Sequence, residues 1–487
     1  MGYITVKKTP PKSVMLKSIA GEIVRIRQRE APSRGDQERR QTRINQGDRV
    51  PWLATLSLAQ AISLSNLQLA RFFLAFVLLL FAAHLFGLIF DKLRLPRVIG
   101  EIVGGLLLGP TFLGYLSPST ETWVFSAFST EGQLLSLVSW FGLILLMFVS
   151  GVEIHGTFDR KDKRTASAFL LGATILPFTI GLAVARIYDF SPYTGPNGNP
   201  VSLSIIIGIA VAVTSIPVIS KIFMDLKIMN TSFARIVLAI ATVEDSILYA
   251  GLAIATGLAG ASAPSTSAII TTIALTVTFL LAGLLVLPRV LRWLSTSRAR
   301  VLMELSHSRF ALFTCFVFVA AAALLNVNIV FGAFLAGIAI GTTPQDMFGK
   351  ATGSIKKISF SLFTPAYFAI VGLSLDLIHQ FDPVILLAFL ALSSALKIFG
   401  ALGVGRLTRK SWLSSTNLAL ALNARGGPGI VLATVAFGAG LISEPFFVAL
   451  VLIAIITSLI AGYWLRYVQS RGWPLLEDAP SEQPRLT

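Results

Sequence analysis

The chain has 487 residues, of which 54% are hydrophobic and only 13% are charged, and its net charge is +16. Charged residues make up about a quarter of an ordinary soluble chain, so this composition excludes a soluble globular protein and indicates an integral membrane protein. A single cysteine, Cys315, excludes an internal disulfide and a cysteine-rich metal site.

Residues 1–50 are polar and basic, and they lack the apolar core of a signal peptide. We expect residues 1–66 to form a mostly disordered tail, with an interfacial helix over 52–66. A fourteenth membrane span over 52–69 and a wrongly chosen start codon are alternative explanations of this region. At the other end, we expect residues 467–487 to form a short tail that is too small for a soluble domain.

Between the two tails, apolar segments recur that are long enough to cross the roughly 30 Å hydrocarbon core of a bilayer. We therefore predict an all-α, multi-pass membrane domain over 67–466 with thirteen transmembrane spans, numbered in chain order. Their approximate bounds are 70–90, 95–116, 134–152, 166–186, 202–223, 234–259, 265–288, 308–325, 328–346, 355–376, 383–405, 412–438 and 442–466.

The basic residues are divided unequally between the two sides that these spans define. The loops after odd-numbered spans and the C-terminal tail hold 24 Lys and Arg residues, whereas the loops after even-numbered spans hold one, Arg186. Because cytoplasmic loops carry the excess of positive charge, we expect the first set and the C-terminus to be cytoplasmic. The charge of +16 is therefore a topology signal and not the footprint of a nucleic-acid partner. An odd span count places the N-terminus outside, and long tails can be translocated despite their charge.

Span 6 contains two adjacent carboxylates, Glu244 and Asp245, in the stretch ATVEDSILYAGL. Ionisable residues at this depth are rare and costly, so each is a functional-site hypothesis. Adjacent helix positions point about 100° apart, so one carboxylate can face a cavity while the other faces a neighbouring helix. Such acids can exchange protons and, when ionised, can bind a hard cation. A structural ion pair or a packing site is the alternative.

Lys397 is the only basic residue inside span 11, and it is the natural charge partner for one of the two acids. The alternative is a lysine that snorkels to the membrane surface. Lys397 lies roughly 13 Å along a helix from the basic end of the span at Arg406, which is long for a snorkelling side chain.

Spans 5 and 12 contain residues that interrupt helices. Span 5 has Thr214, Ser215 and Pro217 near its centre, and a proline removes a backbone donor. Span 12 reads LALALNARGGPGIVLATV, with the residues Asn423, Arg425, Gly426, Gly427 and Pro428. Broken helices at membrane depth are tolerated where they line a cavity, and their freed carbonyls and half-helix dipoles bind ions. A simple proline kink is the alternative in both spans.

The two interrupted spans are seven apart, and so are spans 4 and 11 and spans 6 and 13. An odd offset means opposite orientation in the bilayer, which is the inverted-repeat design of secondary transporters with a site near the midplane. The acids of span 6 directly follow one interruption, and Lys397 directly precedes the other. The sequence therefore predicts that these groups converge.

Five segments resemble one transporter family: LPRVIGEIVGGLLLGPTFLG (95–114), LILLMFVSGVEI (143–154), FGAFLAGIAIG (331–341), FSLFTPAYFAIVGLSLDL (360–377) and ARGGPGIVLATVAFGAG (424–440). They are similar to the Kef-type and NapA-type exchangers of the second monovalent cation:proton antiporter family. The resemblance implies a homodimer with an inverted-repeat, NhaA/NapA-like fold of thirteen helices. It also implies a dimerisation bundle and a mobile domain in which spans 5 and 12 are crossed broken helices.

The resemblance further implies roles for the buried charges. Asp245 would alternate between a monovalent cation and a proton, and Lys397 would pair with the acid before it. That preceding position is Asp in electrogenic members, Asn in electroneutral members and Gln in the Kef branch, whereas this chain has Glu244. The Kef branch also carries a cytoplasmic nucleotide-binding domain, which we do not expect here.

We therefore predict a secondary antiporter, not an enzyme, that exchanges Na⁺, or alternatively Li⁺ or K⁺, for protons in a bacterial-type cytoplasmic membrane without a cofactor. Asp245 and Glu244 are the predicted ion- and proton-binding residues, with Thr214, Ser215 and freed carbonyls assisting. A Kef-like potassium efflux transporter or channel without the regulatory domain is the first alternative. An intramembrane enzyme would need a nucleophile with a base or paired metal-binding acids, and neither is evident.

Overall fold

The computed structural model describes residues 64–93, 95–128, 130–153, 163–229, 231–260, 265–296, 307–343 and 345–476. The described residues from Gln68 onward form one compact unit. Nearly all of the expected N-terminal tail with its interfacial helix, and residues 477–487, lie outside the described residues. Within the described ranges the chain is helical, apart from loops and one isolated β-bridge between Thr194 and Ile442.

Nineteen α-helices can be named in the described part of the chain. The first nine are α1 Asn66–Lys92, α2 Arg97–Leu108, α3 Pro118–Phe125, α4 Glu131–Glu153, α5 Lys163–Leu170, α6 Leu176–Ile187, α7 Pro200–Ala212, α8 Ile216–Asp225 and α9 Ser232–Gly257. The others are α10 Thr266–Leu281, α11 Leu287–Thr296, α12 His307–Leu324, α13 Ile329–Gly341, α14 Gln345–Ile358, α15 Thr364–Leu373, α16 Pro383–Leu407, α17 Trp412–Leu422, α18 Gly426–Gly438 and α19 Glu444–Ser470.

Ten helical segments in the described residues are long and apolar enough to cross a membrane. This agrees with an all-α, multi-pass membrane protein, and the count of thirteen spans stays a prediction. Predicted spans 5, 9 and 10 are missing from the ten because α7 and α13 have 13 residues each, α8 and α15 have 10 each, and α14 is polar. Hydropathy detects apolar sequence there, but no single long apolar helix forms.

The helices pack as two groups. The first group contains α2, α4, α12, α13 and α15, which contact one another as neighbours. The second group contains α6, α7, α9, α16, α17, α18 and α19. The two interrupted segments, α7 with α8 and α17 with α18, lie with the second group, as do the acids of α9 and Lys397 of α16.

Two glycines allow the backbones of α2 and α15 to touch. A β-carbon added at Gly105 would collide with the backbone of Ala369, and one added at Gly372 would collide with the backbone of Ile102. Small residues at such contacts let membrane helices approach closely and pack through van der Waals contacts. The close contact between α2 and α15 therefore requires glycines at these two positions.

We expect Gly105→Val to separate α2 from α15 and to destabilise the protein by about 1–3 kcal/mol, the usual cost of overpacking. The measurement is the thermal unfolding midpoint of the purified protein in detergent. Gly403→Val is the matched control, because no heavy atom lies within 4 Å of a β-carbon at Gly403. Equal midpoints for the two variants would contradict the packing account.

Candidate ion-binding site

The first interruption separates α7 from α8. α7 ends at Ala212, the chain is extended at Val213, and α8 begins at Ile216. Ser215 caps α8, because its hydroxyl accepts a hydrogen bond from the backbone N–H of Val218 at 3.4 Å. Pro217 lies in the first turn of α8, where its missing N–H leaves no helical bond unmade. The last carbonyls of α7 consequently have no helical donor.

The second interruption separates α17 from α18 at Asn423–Arg425. Side chains supply acceptors for the first N–H groups after it: Gly426 donates to Ser458 at 3.1 Å, and Gly427 donates to the Ser215 hydroxyl at 3.1 Å. Gly426 has φ +31°, and a β-carbon there would lie 2.6 Å from the Ser215 hydroxyl oxygen. A glycine is therefore required at this position, and Pro428 follows within the first turn of α18.

The two interruptions are bonded to each other through their backbones. The N–H of Ser215 donates to the carbonyl of Ala424 at 2.6 Å. The Thr214 hydroxyl donates to the carbonyl of Leu422, the last residue of α17. Each break thus satisfies polar groups that the other leaves open.

Two buried cations occupy the carbonyl end of α7. Lys397 of α16 donates to the carbonyl oxygen of Ala212. Arg425 donates through Nε to Ala210 at 3.1 Å and through Nη2 to Val211 at 3.3 Å. The C-terminal end of a helix carries a partial negative charge, which offsets part of the cost of burying these two groups.

Glu244 is held by Lys397 and by the hydroxyl of Thr174. The Lys397 ammonium lies 3.3 and 3.4 Å from the two carboxylate oxygens of Glu244, and it also donates to the Thr214 hydroxyl at 2.7 Å. Thr174 donates a hydrogen bond to Glu244 Oε1. Both charged side chains are at most 2% exposed, so a dry ion pair forms in which each charge depends on the other.

Asp245 is the acid that remains without such partners. It is 1% exposed, and its Oδ1 atom has no hydrogen-bond partner among the described residues. Asn423 Oδ1 and Arg425 Nη1, at the nearby interruption, are also buried without a partner there. Buried polar atoms are nearly always satisfied by protein or water. Asp245 Oδ1 is therefore a buried oxygen that can take a water or an ion as its partner.

The site residues predicted from the sequence have different roles in the structure. Glu244, Lys397 and Thr214 form one bonded cluster, whereas the Ser215 hydroxyl is already used to cap α8 and to accept from Gly427. Three carbonyls at the end of α7 accept hydrogen bonds from Lys397 and Arg425. No group of three or more His, Cys, Asp and Glu side chains comes together in the described ranges.

Thr174 is a site residue that sequence reasoning missed. It lies in a π-helical turn, Leu171–Ile175, and it shares with Glu244 the lining of a small pocket of about 280 Å³ including its open mouth. The one available signal was the seven-span offset, which pairs span 4 with the span that contains Lys397. An uncharged threonine in an apolar span does not otherwise differ from the many that bond to their own helix.

A family model described as "Sodium/hydrogen exchanger, transmembrane" matches residues 60–469. The chain belongs to this family. Membership confirms the sequence-based prediction of a monovalent cation:proton antiporter. The family consists of transporters.

Named relatives agree over most of the chain. The Na(+)/H(+)-K(+) antiporter GerN of Bacillus cereus is 27% identical, and the alignment covers 82% of this chain and 96% of the relative. The Na(+)/H(+) antiporter NhaS4 of Synechocystis is 29% identical, with 78% and 92% coverage. K(+)/H(+) antiporter 1 of Saccharomyces cerevisiae is 29% identical over 81% of this chain, which spans 46% of that relative.

A solved structure shows the same fold at lower identity. The sodium proton antiporter MjNhaP1 from Methanocaldococcus jannaschii aligns with a TM-score of 0.53 and 14% identity, covering 84% of this chain and 97% of that one. This likeness concerns the helical fold alone.

We expect Lys397→Met to destabilise the protein by about 3–5 kcal/mol, because it leaves Glu244 as an unpaired buried charge. Adding Glu244→Gln removes that charge, so the double variant should recover part of the lost thermal stability. Unfolding midpoints of the two single variants and the double variant in detergent measure this coupling.

Lys356→Met is the control for this cycle. Lys356 pairs with Glu153, and both side chains are more than 40% exposed, so its loss should change stability by less than about 1 kcal/mol. If the effects of Lys397→Met and Glu244→Gln are additive, the two buried groups are not an energetically coupled pair.

Proposed function

We propose that this chain is a secondary antiporter that exchanges a monovalent cation, foremost Na⁺ and alternatively Li⁺ or K⁺, for protons by alternating access. The observation that carries the proposal is the pair of adjacent acids with unequal surroundings. Glu244 has Lys397 and Thr174 as partners, whereas Asp245 Oδ1 is buried without one. Asp245 is therefore the carboxylate available to a transported ion.

The coupling follows from the cost of an uncompensated charge at membrane depth. An ionised Asp245 without a counter-charge is costly in a low-dielectric interior. A bound cation and a bound proton each neutralise it. The site crosses only in these neutralised forms, so the outward passage of one ion is tied to the inward passage of the other.

Glu244 sets the charge stoichiometry in this proposal. In the proton-loaded form Asp245 and Glu244 each bind a proton, and both release it when the cation binds, after which Lys397 neutralises the ionised Glu244. Two protons then exchange for one monovalent cation, and one net charge moves. Electrogenic members of the family have an Asp at this position, which is also an ionisable acid. We therefore assign this chain to an electrogenic class of exchange. Na⁺ and K⁺ both appear in the names of the relatives, which is why both stay candidate cations.

The proposal also includes the finer architecture. The two interrupted segments act as crossed broken helices within a thirteen-span inverted repeat, supported by the reciprocal bonds between Thr214, Ser215 and the carbonyls of Leu422 and Ala424. The protein acts as a homodimer in a bacterial-type cytoplasmic membrane with a cytoplasmic C-terminus. The uneven distribution of Lys and Arg between the loops supports this orientation.

Asp245→Asn should abolish cation-dependent dissipation of a preformed pH gradient in everted membrane vesicles, because an amide cannot exchange a charge. Na⁺, Li⁺ and K⁺ are added in turn, and the fluorescence of a pH-gradient dye is followed. Asp376→Asn is the control, because Asp376 caps an exposed turn through the N–H groups of Ile378 and His379 and an amide oxygen can still accept those bonds. Full exchange by the Asp245→Asn variant would contradict the proposed function.

Glu244→Gln should retain cation/proton exchange but move less net charge per cation. Reversal potentials in proteoliposomes, measured at several imposed cation gradients, give the stoichiometry. An unchanged reversal potential would show that Glu244 only neutralises Lys397 and carries no proton of its own.

A further inference from the structure

A large pocket opens between the two helix groups. Its volume, including its open mouth, is about 1170 Å³, and its walls include Ser139 of α4, Ile370 and Val371 of α15, and Thr434 and Gly438 of α18. The nearby loops 116–130, 374–382 and 438–443 contain no Lys or Arg, so this is the side predicted to be non-cytoplasmic. We call this space the outer pocket.

Two buried tyrosines lie between the outer pocket and Asp245. Tyr367 is one turn before Ile370 and Val371 on α15, and therefore lies below the floor of the outer pocket. Tyr249 is one turn after Asp245 on α9, towards the helix end at Gly257. That end lies on the same side of the protein as the outer pocket. The carbonyl of Leu258 accepts a hydrogen bond from Asn199, and Gly195 in the loop before Asn199 donates to the carbonyl of Leu441.

The hydroxyls of these tyrosines lack partners where one is expected. Tyr249 and Tyr367 are 1% and 0% exposed, and neither hydroxyl has a hydrogen-bond partner among the described residues. A buried tyrosine hydroxyl ordinarily finds a partner. Tyr249 follows Asp245 by four residues on α9, so the two side chains lie on one face of that helix.

The rings, in contrast, are firmly packed. Tyr249 lies against Phe334 of α13 with ring centroids 4.7 Å apart, and Tyr367 lies against Phe368 at 4.9 Å. The aromatic rings therefore close the space between the helix groups to apolar and bulky molecules. The hydroxyls of Tyr249 and Tyr367 and the Oδ1 atom of Asp245 are all buried and lack a hydrogen-bond partner among the described residues.

We propose that Tyr249 and Tyr367 form a hydroxyl-lined passage through which protons and the transported monovalent cation move between the outer pocket and Asp245. This inference rests on the proposed function. A phenol hydroxyl both donates and accepts, so it can replace water around a partly dehydrated cation and can hold a water through which a proton passes. The two tyrosines are positioning residues, and Asp245 remains the carrier.

Tyr249→Phe and Tyr367→Phe test the hydroxyls while keeping the rings. With the cation supplied at sub-saturating concentration from the outer-pocket side, we expect about a five- to tenfold fall in exchange rate for each variant, the effect of losing one hydrogen bond to the ion or its water. We expect the fall to appear mainly as a raised KM. A role in packing alone would leave KM unchanged, since both variants keep the ring.

Tyr193→Phe is the matched control. Its hydroxyl donates to Asp382 at 3.0 Å and lies away from Asp245, so this variant should exchange at the wild-type rate with an unchanged KM. Comparable thermal unfolding midpoints for the three variants establish that all are folded.

A cysteine probe tests the same passage without altering either tyrosine. Cys315 is the only cysteine, so Cys315→Ser gives a background without thiols. In that background, Thr434→Cys should react with a membrane-impermeant, positively charged thiol reagent added from the outer-pocket side, and the reaction should block exchange. Gly353→Cys, in a different pocket beside Lys356, should not react from that side.

The outcomes separate this inference from the proposed function. Complete labelling of Thr434→Cys with full retention of exchange would overturn the passage, as would wild-type rate and KM in both Phe variants. If Asp245→Asn abolishes exchange in the same preparations, the antiport function stands while the passage fails. If Asp245→Asn exchanges normally, the function itself has failed.

Discussion

Every unusual feature of this molecule depends on one constraint: charges buried at membrane depth must be compensated by the protein or by a transported ion. Lys397 and Glu244 compensate each other at 3.3 Å, and both side chains are buried. Removing either partner would leave an isolated charge whose desolvation cost nothing offsets. Asp245 lies next to this closed pair and has no comparable partner among the described residues. The two adjacent acids thus differ in their surroundings, because Glu244 is paired with Lys397 and Asp245 Oδ1 has no partner there.

The interrupted helices also compensate buried charges, and their freed carbonyls do so by bonding to side chains of the protein. Freed carbonyls were expected to assist the transported ion. At the end of α7, however, the carbonyls of Ala210, Val211 and Ala212 accept hydrogen bonds from Arg425 and Lys397. The break therefore stabilises the cations of the protein.

The sequence predicted the parts of the site that are rare in membrane helices. Charged residues and a Gly-Gly-Pro-Gly run are conspicuous in apolar sequence because their cost is high, so Glu244, Asp245, Lys397 and the two interruptions could be found. Thr174 and Tyr367 could not, because hydroxyl-bearing residues are common in apolar helices and their role depends on three-dimensional neighbours. The fold was predictable as helical and multi-pass. The number of long apolar helices was not predictable, because hydropathy does not show where a π-helical turn, a polar helix or a break divides an apolar segment.

The hydrogen bonds that join the two interruptions restrict how the site can move. They connect backbone atoms of Ser215 and Ala424 directly, and hydroxyls of Thr457 and Ser458 on α19 bind the N–H groups of Arg425 and Gly426. Displacing any one of these helices alone would expose several buried donors and acceptors to an apolar environment, at a cost of about 1–3 kcal/mol for each group. The two breaks and α19 therefore form one hydrogen-bonded unit, in which moving one helix separately from the others would break buried hydrogen bonds.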